Sequence, residues 1–152
     1  MDCFVCAKHR DPSAMPGGPV AEDDLIVVSH VDPDAPGQDG APVYLGHLVV
    51  EPRRHVAGLG DLTDDEAAAL GRWLARVSDA LRVAAGAEHV YSMVVGHGVD
   101  HLHVHLVPRY PGTPREYWWT RLDEWPQAPL GDVGDAARVV SGLRARLQRV
   151  GR

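Results

Sequence analysis

Long apolar stretches, basic charge and cysteine are all scarce in this sequence of 152 residues. No run of about 18 apolar residues occurs, so a membrane-spanning segment is not expected. The first residues lack the basic region and the apolar stretch of a secretory signal, which predicts a cytoplasmic location. The net charge is −6, with 15 Lys and Arg against 21 Asp and Glu, and this argues against a general nucleic-acid-binding protein.

Only two cysteines are present, and they lie at Cys-x-x-Cys spacing as Cys3 and Cys6. In a cytosolic protein this spacing indicates metal binding or redox chemistry rather than a structural disulfide. Two thiolates are too few ligands for a zinc ion, so a zinc site would need two histidines from elsewhere in the chain. The alternatives are a pair of buried free thiols and a redox-active pair.

The length and the apolar content of 45% predict a single domain, residues 1–152, with a substantial core. Alternating apolar residues between turn signals indicate strands at 25–31, 43–51, 90–95 and 101–107. A tight Gly96-His97-Gly98 turn is expected to join the last two strands into a hairpin. Strands grouped around one helix favour an α+β fold with an antiparallel sheet.

Two helices are predicted. Thr63-Asp64-Asp65-Glu66 is a capping box that opens the first helix, which is expected to stop near Gly86. A last helix is expected over about 132–150, where apolar residues recur at helical spacing. Proline- and glycine-rich stretches predict loops or irregular chain at 7–21, 32–42 and 108–129.

The most informative segment is 101–107, which reads His-Leu-His-Val-His-Leu-Val. Because strand side chains alternate, His101, His103 and His105 are predicted to line one face and the apolar residues the other. Adjacent imidazoles can act as nucleophile, general acid, general base or metal ligand near neutral pH. The alternative is a histidine-rich exposed edge strand without a chemical role.

This segment resembles the signature of the histidine-triad (HIT) family, His-φ-His-φ-His-φ-φ with φ apolar, at every position. Three other segments resemble the family in the expected order. They are the acidic Glu22-Asp23-Asp24 before an apolar run, the Gly-His-φ-φ-φ-φ-Pro segment at 46–55, and the Cys-x-x-Cys start of zinc-bearing members. The resemblance covers about residues 2–110 and leaves about 111–152 as a C-terminal extension. It implies a HIT-like antiparallel sheet of about five strands with one main helix and a C-terminal helix, usually in a homodimer.

The resemblance also implies a chemistry. Members of the family transfer or hydrolyse nucleoside phosphates and phosphoramidates through a covalent nucleotidyl-histidine. By position, His103 is the nucleophile, with its other ring nitrogen held by a backbone carbonyl, and His105 contacts the phosphoryl oxygens and assists the leaving group. The implied partner is a small molecule, a nucleotide, and neither a nucleic-acid nor a membrane partner is expected.

A structural Zn²⁺ ion is implied by the resemblance to the zinc-bearing relatives. Their ligands correspond here to Cys3, Cys6, His55 and His101, and the sequence keeps all four. Such a closed site would tie the N-terminus to the histidine segment.

The sequence departs from the family pattern in two places. The loop before the histidine segment is short: His97 takes the position of a glutamine and is a candidate phosphate donor, and Asp100 is a candidate partner for a cationic substrate group. A plain hairpin turn is the alternative.

Val31 stands where relatives carry an aspartate for the ribose hydroxyls. Arg109, just after the histidine segment, is a candidate to neutralise phosphate, whereas His47 is expected to be a packing residue.

Trp118, Trp119 and Trp125 are concentrated in the C-terminal extension. They could form a stacking wall over the site, but a dimer or core contact is favoured.

Two other functions stay open. One is a specialised HIT-fold enzyme acting on a non-nucleotide metabolite, and the other is a non-catalytic protein that binds a nucleotide or a metal.

Overall fold

A computed structural model describes residues 2–150 of the protein. Within these residues, a five-stranded antiparallel sheet has the strand order β1-β2-β4-β6-β5, and a separate ladder pairs β3 with β7. The strands are β1 (Ala21–Glu22), β2 (Ile26–His30), β3 (Val43–Tyr44), β4 (Leu48–Pro52), β5 (His89–Met93), β6 (Val104–Arg109) and β7 (Leu130–Gly131). The α-helices are α1 (Phe4–Arg10), α2 (Asp64–Val83) and α3 (Val133–Val150).

The apolar core lies on one face of this sheet. Strands β2, β4 and β6 alternate, so that every second side chain is aliphatic and faces α2 and α3. The buried aliphatic residues of the strands and helices that share this core include Ile26, Val28, Leu48, Val50, Val104, Leu106, Leu70, Val77, Leu81, Val140 and Leu143. The predicted α+β fold with a main helix and a C-terminal helix is therefore confirmed. The opposite face of the sheet carries both valines, such as Val27 and Val49, and polar residues, such as Ser29, Glu51 and His105.

Helix α2 begins at the predicted capping box. The Glu66 N–H donates to Thr63 Oγ1 (3.1 Å), and the Thr63 N–H donates to the Glu66 carboxylate (2.9 Å). The helix ends at Val83, and Gly86 follows with φ of +81°. No helix within residues 2–150 combines the length and the apolar character needed to cross a membrane.

Helix α1 was not predicted from the sequence. It is only seven residues long, and its N-cap residue, Cys3, makes no side-chain cap hydrogen bond. Its stability comes from tertiary contacts instead, because Lys8 Nζ and His9 Nε2 bind the two oxygens of Glu51 on β4 at 3.0 and 2.9 Å. All three residues are largely buried. Local sequence signals therefore could not reveal this helix.

The single strand predicted at 43–51 is wrong, because the chain breaks it into β3 and β4 at Gly46. This glycine has φ of +93°, and a Cβ atom there would lie 2.4 Å from Tyr110 Oη and 2.7 Å from Pro108 Cγ. Only glycine fits this turn. The turn lets His47, the next residue, leave the strand direction.

The strand predicted at 101–107 is displaced, because β6 begins only at Val104. Residues 101–103 leave the sheet ladder: the Leu102 N–H donates to the Val56 carbonyl (2.7 Å) rather than to a neighbouring strand. The tight turn expected at 96–98 is instead part of a longer connection, residues 94–103, between β5 and β6. His101 is therefore free to turn towards the N-terminal segment, as described below.

Candidate active site and metal centre

His105 lies on β6, on the sheet face opposite the core, and His103 lies one residue before this strand begins. His105 sits within the strand, where its register partners are Val49 on β4 and Met93 on β5. The Nδ1–H of His103 donates to the carbonyl oxygen of His101 (2.7 Å). A carbonyl can only accept, so this hydrogen bond fixes the proton on Nδ1 and leaves the lone pair of His103 on Nε2.

A third imidazole, that of His47, joins this face. His47 Nε2 lies 2.9 Å from His105 Nδ1, so one of these nitrogens donates a hydrogen bond to the other. Ring centroids are 4.9 Å apart for His103 and His105, and 5.1 Å apart for His47 and His105. The three rings form a continuous row at one end of the sheet.

The surroundings of His47 and His105 favour their neutral forms in the free protein. Burial, and after it the neighbouring His105, lowers the pKa of His47 to about 3. Burial also lowers the pKa of His105, with His103 acting in the same direction. His47 was predicted to be a packing residue, so the sequence reasoning missed its contact with His105. The signal in the sequence that could have indicated this contact is the position of His47 directly after Gly46, where only glycine fits.

Two imidazoles of the row face a cleft of about 420 Å³, called here the sheet cleft, whereas His103 lies beside His105 but outside the lining of this cleft. His47 and His105 form part of its lining, together with Val31 and with residues from the C-terminal extension. The remaining side chains that line it are mainly apolar and include Val43, Tyr44, Met93, Val95, Val107, Trp119, Leu122 and Leu130. Among the described residues that line the sheet cleft, Asp123 carries the only formal charge, and no Lys or Arg is present.

The three candidate substrate-binding residues lie outside this lining. His97 and Asp100 are exposed on the connection between β5 and β6. Arg109 lies four residues beyond His105 on the same strand, where its guanidinium stacks 3.7 Å from the Trp118 ring centroid and donates to Tyr91 Oη (2.8 Å). The structure brings His105 and His47 together at the cleft but does not bring these three residues to it.

Cys3, Cys6, His55 and His101 come together at the other end of the histidine segment. One ligand atom from each lies within 4.8 Å of all the others. The Sγ–Nδ1 distances are 3.6 Å for Cys3–His101, 3.6 Å for Cys6–His55 and 3.5 Å for Cys6–His101. Ligands of a tetrahedral zinc ion at ordinary bond lengths would be about 3.5 Å apart for a sulfur–nitrogen pair. The four residues therefore fit a tetrahedral metal ion.

The contacts around this cluster also fit a metal centre. His101 is fully buried, and its Nε2–H donates to the Pro52 carbonyl oxygen (2.7 Å), which leaves the Nδ1 lone pair facing the two sulfurs. The His9 ring lies edge-on to the His101 ring with centroids 5.7 Å apart, and His9 binds Glu51. Although burial alone would raise the pKa of Glu51, hydrogen bonds from His9 and Lys8 hold it below its usual range. A buried ion cluster thus backs the metal ligands.

The tryptophans of the C-terminal extension have different surroundings. Trp119 lines the sheet cleft, Trp118 is covered by Arg109, and Trp125 lines a separate groove beside α3. The favoured interpretation of these residues, a dimer or core contact, stays a prediction, and Trp119 is the one of the three that also lines the sheet cleft.

Comparison with known proteins agrees with this arrangement. Residues 20–112 match the HIT domain. The chain is 39% identical over 80 residues to the AP-4-A phosphorylase of Mycobacterium tuberculosis (strain ATCC 25618 / H37Rv), covering 47% of this chain and 40% of that protein. It is 30% identical over 98 residues to the adenosine 5'-monophosphoramidase hnt1 of Schizosaccharomyces pombe, covering 60% of this chain and 66% of that protein. The chain thus spans less than two thirds of the length of both curated relatives.

Solved structures extend the similarity over nearly the whole chain. A Zn-bound histidine triad family protein from Mycobacterium smegmatis has a TM-score of 0.71 at 20% identity, covering 99% of this chain and 96% of that one. A hypothetical histidine triad nucleotide-binding protein from Sulfolobus tokodaii has a TM-score of 0.73 at 20% identity, covering 99% and 95%. At such identities these likenesses establish the fold alone, whereas the domain match covers more than half of the sequence. The chain belongs to the HIT domain family.

Proposed function

We propose that this protein is a hydrolase or transferase that acts at the phosphorus of a nucleoside phosphate or phosphoramidate through a covalent nucleotidyl-histidine on His103. The observation that carries the proposal is the hydrogen bond from His103 Nδ1 to the His101 carbonyl, which leaves the Nε2 lone pair available beside His105. The similarity to a phosphorylase and a phosphoramidase whose names concern adenine nucleotides supports this class of substrate.

In the proposed reaction, His103 Nε2 attacks phosphorus, a P–N bond forms, and the bond from phosphorus to the leaving group breaks. The negative charge of a bound substrate favours the protonated form of His105, which then gives its proton to the leaving group, and His47 holds His105 through their hydrogen bond. Water or a second acceptor then attacks phosphorus and gives its proton back to His105, the P–N bond to His103 breaks, and the nucleotide leaves. The net change is hydrolysis or transfer without any oxidation.

Zinc is the proposed occupant of the Cys3, Cys6, His55 and His101 cluster, in a structural role. The ligand distances support it, and so does the description of the Mycobacterium smegmatis protein of the same fold as Zn-bound. When bound, the ion would hold the ligands in place and take no part in bond making. A single HIT domain with a C-terminal extension, a homodimer and a cytoplasmic location stay predictions.

One observation favours a second candidate function. Val31, not an aspartate, lines the sheet cleft, and its side chain offers no hydrogen bond to a ribose. A specialised enzyme that acts at phosphorus in a non-nucleotide metabolite is therefore the alternative, and it keeps the same chemistry at His103.

Intact-protein mass spectrometry tests the proposal. The protein is mixed briefly with adenosine 5'-phosphoramidate, a dinucleoside polyphosphate or a nucleotide sugar, and is quenched in denaturant at alkaline pH because a P–N bond to histidine is labile in acid. We expect a mass gain of one nucleotidyl group in the wild type and none in His103→Ala, with turnover at least about a thousandfold lower. His89→Ala, at an exposed histidine on β5, is the matched control and should keep the adduct.

The outcomes separate the candidate functions. Turnover that persists in a folded His103→Ala variant would overturn the covalent mechanism. Absence of adduct and product with every nucleotide would favour the non-nucleotide enzyme, and tight nucleotide binding without turnover would favour a non-catalytic binding protein.

A further inference from the structure

The sheet cleft has one wall that lies outside the matched domain. Its floor carries His47 and His105, within the HIT match at residues 20–112, whereas Trp119, Thr120 and Asp123 line it from the C-terminal extension. The shape and polarity of the cleft beyond the imidazoles therefore depend in part on residues outside the matched domain.

This wall is held in place by contacts of the residues around Trp119. Leu122 is only 2% exposed and anchors the segment. The Trp118 indole N–H donates to the Thr113 carbonyl (3.0 Å), and the Arg109 guanidinium covers the Trp118 ring. Arg121 Nη1 donates to the Glu116 carbonyl (3.1 Å). These contacts fix residues 118–123, called here the tryptophan wall, without using Trp119 itself.

Trp119 has a conformation that its own packing does not explain. Its φ is +72°, in the left-handed region that a bulky residue rarely adopts, yet its side chain is 52% exposed. The ring is kept at one angle by an edge contact with Tyr91, with centroids 5.5 Å apart and planes at 89°. A strained residue that holds a half-exposed indole in a cleft is typical of a ligand-binding position.

Asp123 adds a polar group to the same wall. Its side chain is exposed to the cleft, and no described hydrogen bond or ion pair engages its carboxylate. Because no Lys or Arg among the described residues lines the cleft, a phosphate group placed beside Asp123, away from the imidazoles, would meet an unbalanced negative charge. The cleft is suited to a neutral or cationic group that is planar and donates a hydrogen bond.

We infer that the tryptophan wall determines specificity for the part of the substrate beyond its phosphoryl group. Trp119 stacks on a planar aromatic group, and Asp123 accepts a hydrogen bond from that group or from the sugar attached to it. The inference rests on the proposed function for the phosphoryl end of the ligand. It names the substrate as a phosphoryl compound with a nucleoside-like aromatic portion and places its recognition in the C-terminal extension.

Calorimetric titration with AMP tests the stacking partner. We expect Trp119→Ala to weaken AMP binding about tenfold, since base–aromatic stacking is worth that much or more, and Trp119→Phe to stay within about threefold of the wild type. Trp119→Gly removes the ring and also relieves the left-handed backbone, so it should lose affinity like Trp119→Ala while its melting temperature is no lower than that of the wild type. Trp125→Ala, in the separate groove, is the matched control and should leave AMP affinity unchanged.

Two AMP analogues identify the hydrogen-bond donor. Asp123→Ala should weaken AMP binding about threefold to tenfold. If the donor is the amine of the base, purine riboside 5'-monophosphate should bind the wild type and Asp123→Ala equally. If the donor is a hydroxyl of the sugar, the dideoxy analogue of AMP should instead bind the wild type and Asp123→Ala with equal affinity. Unequal binding of both analogues would overturn the role of Asp123.

AMP binding requires no turnover, so this inference and the proposed chemistry fail separately. A loss of AMP affinity in Trp119→Ala and Trp119→Gly supports the inference even if no adduct forms on His103. AMP affinity that is unchanged in both variants, or a wild-type protein that does not bind AMP, overturns the inference even if His103 is modified by another substrate.

Discussion

The two ends of the histidine segment use the same side chain in opposite ways. His101 presents Nδ1 to two cysteine sulfurs because its Nε2–H is bound to the Pro52 carbonyl. His103 presents Nε2 because its Nδ1–H is bound to the carbonyl of His101. In each case a backbone carbonyl selects the nitrogen that stays free. A repeat of one residue type therefore supplies two different sites, and the difference lies in the backbone rather than in the imidazole.

Burial separates the two ends as well. His101 is fully buried in a cluster whose ligands come from the N-cap and first turn of α1, from the segment after β4 and from the connection before β6. His103 and His105 are half-buried on a sheet face that opens into the cleft. A closed set of ligands suits a structural metal, whereas an open face suits a substrate.

The strongest way to break this comparison is to change one histidine at each end. We expect His101→Asn to lose the bound zinc, from about one ion per chain to none, because a tetrahedral site needs four ligands. We expect His105→Asn to keep the zinc while turnover falls about a hundredfold or more, the usual contribution of a general acid. Metal content by plasma mass spectrometry and turnover of adenosine 5'-phosphoramidate check both. Zinc retained in His101→Asn would contradict the assignment of His101 to the metal site.

A second test measures how the stability of the fold depends on pH, and it concerns His47 at the open end. The pKa of His47 falls from about 6.5 in the unfolded chain to about 3 in the fold. Between these values the unfolded chain binds a proton that the folded chain does not, so the free energy of unfolding decreases as pH falls. We expect a loss of about 1 to 2 kcal/mol between pH 7 and pH 5 from His47, and the lowered pKa values of His30 and His105 act in the same direction.

Urea unfolding at pH 7, 6 and 5 measures this dependence. His47→Gln should show a flatter decrease in stability than the wild type, and His89→Gln, at an exposed position, should keep the wild-type slope. A slope for His47→Gln equal to that of the wild type would show that His47 does not remain neutral in the fold.

The smallest expected effect concerns Arg109, which shares its strand with His105. Its side chain is 14% exposed and stacks on Trp118, so Arg109→Lys should lower the free energy of unfolding by about 1 kcal/mol through loss of the planar contact. The KM for substrate should stay within about twofold of the wild type. Urea unfolding and steady-state kinetics check the two quantities. A clear rise in KM with unchanged stability would instead support the phosphate-binding role that the sequence indicates.

The sequence predicts well those features that depend on neighbouring residues. The capping box at Thr63 and Glu66 is a local pattern, and it begins α2 as expected. Cys3 and His101 of the metal cluster are 98 residues apart in the sequence. Resemblance to the family nevertheless predicted all four ligands, Cys3, Cys6, His55 and His101. Those four residues lie together in the structure.

The features that the sequence does not reveal depend on tertiary contacts. Helix α1 rests on buried contacts of Lys8 and His9 with Glu51, which no local pattern encodes. The alternating pattern of residues 101–107 predicts a strand from His101, but β6 begins only at Val104 because His101 turns towards the cysteines. The position of Trp119 is set by contacts of its neighbours, so composition alone could not separate it from Trp118 and Trp125.

Gly46 limits how this protein can vary. Its left-handed backbone and the atoms of Tyr110 and Pro108 leave no space for even a methyl group. His47 reaches His105 only because of that turn. Every single-base change that replaces Gly46 would therefore be selected against twice, once through the stability of the fold and once through the loss of an imidazole from the cleft. Mutational drift can alter the surface around this turn, but the turn itself has a single accessible residue.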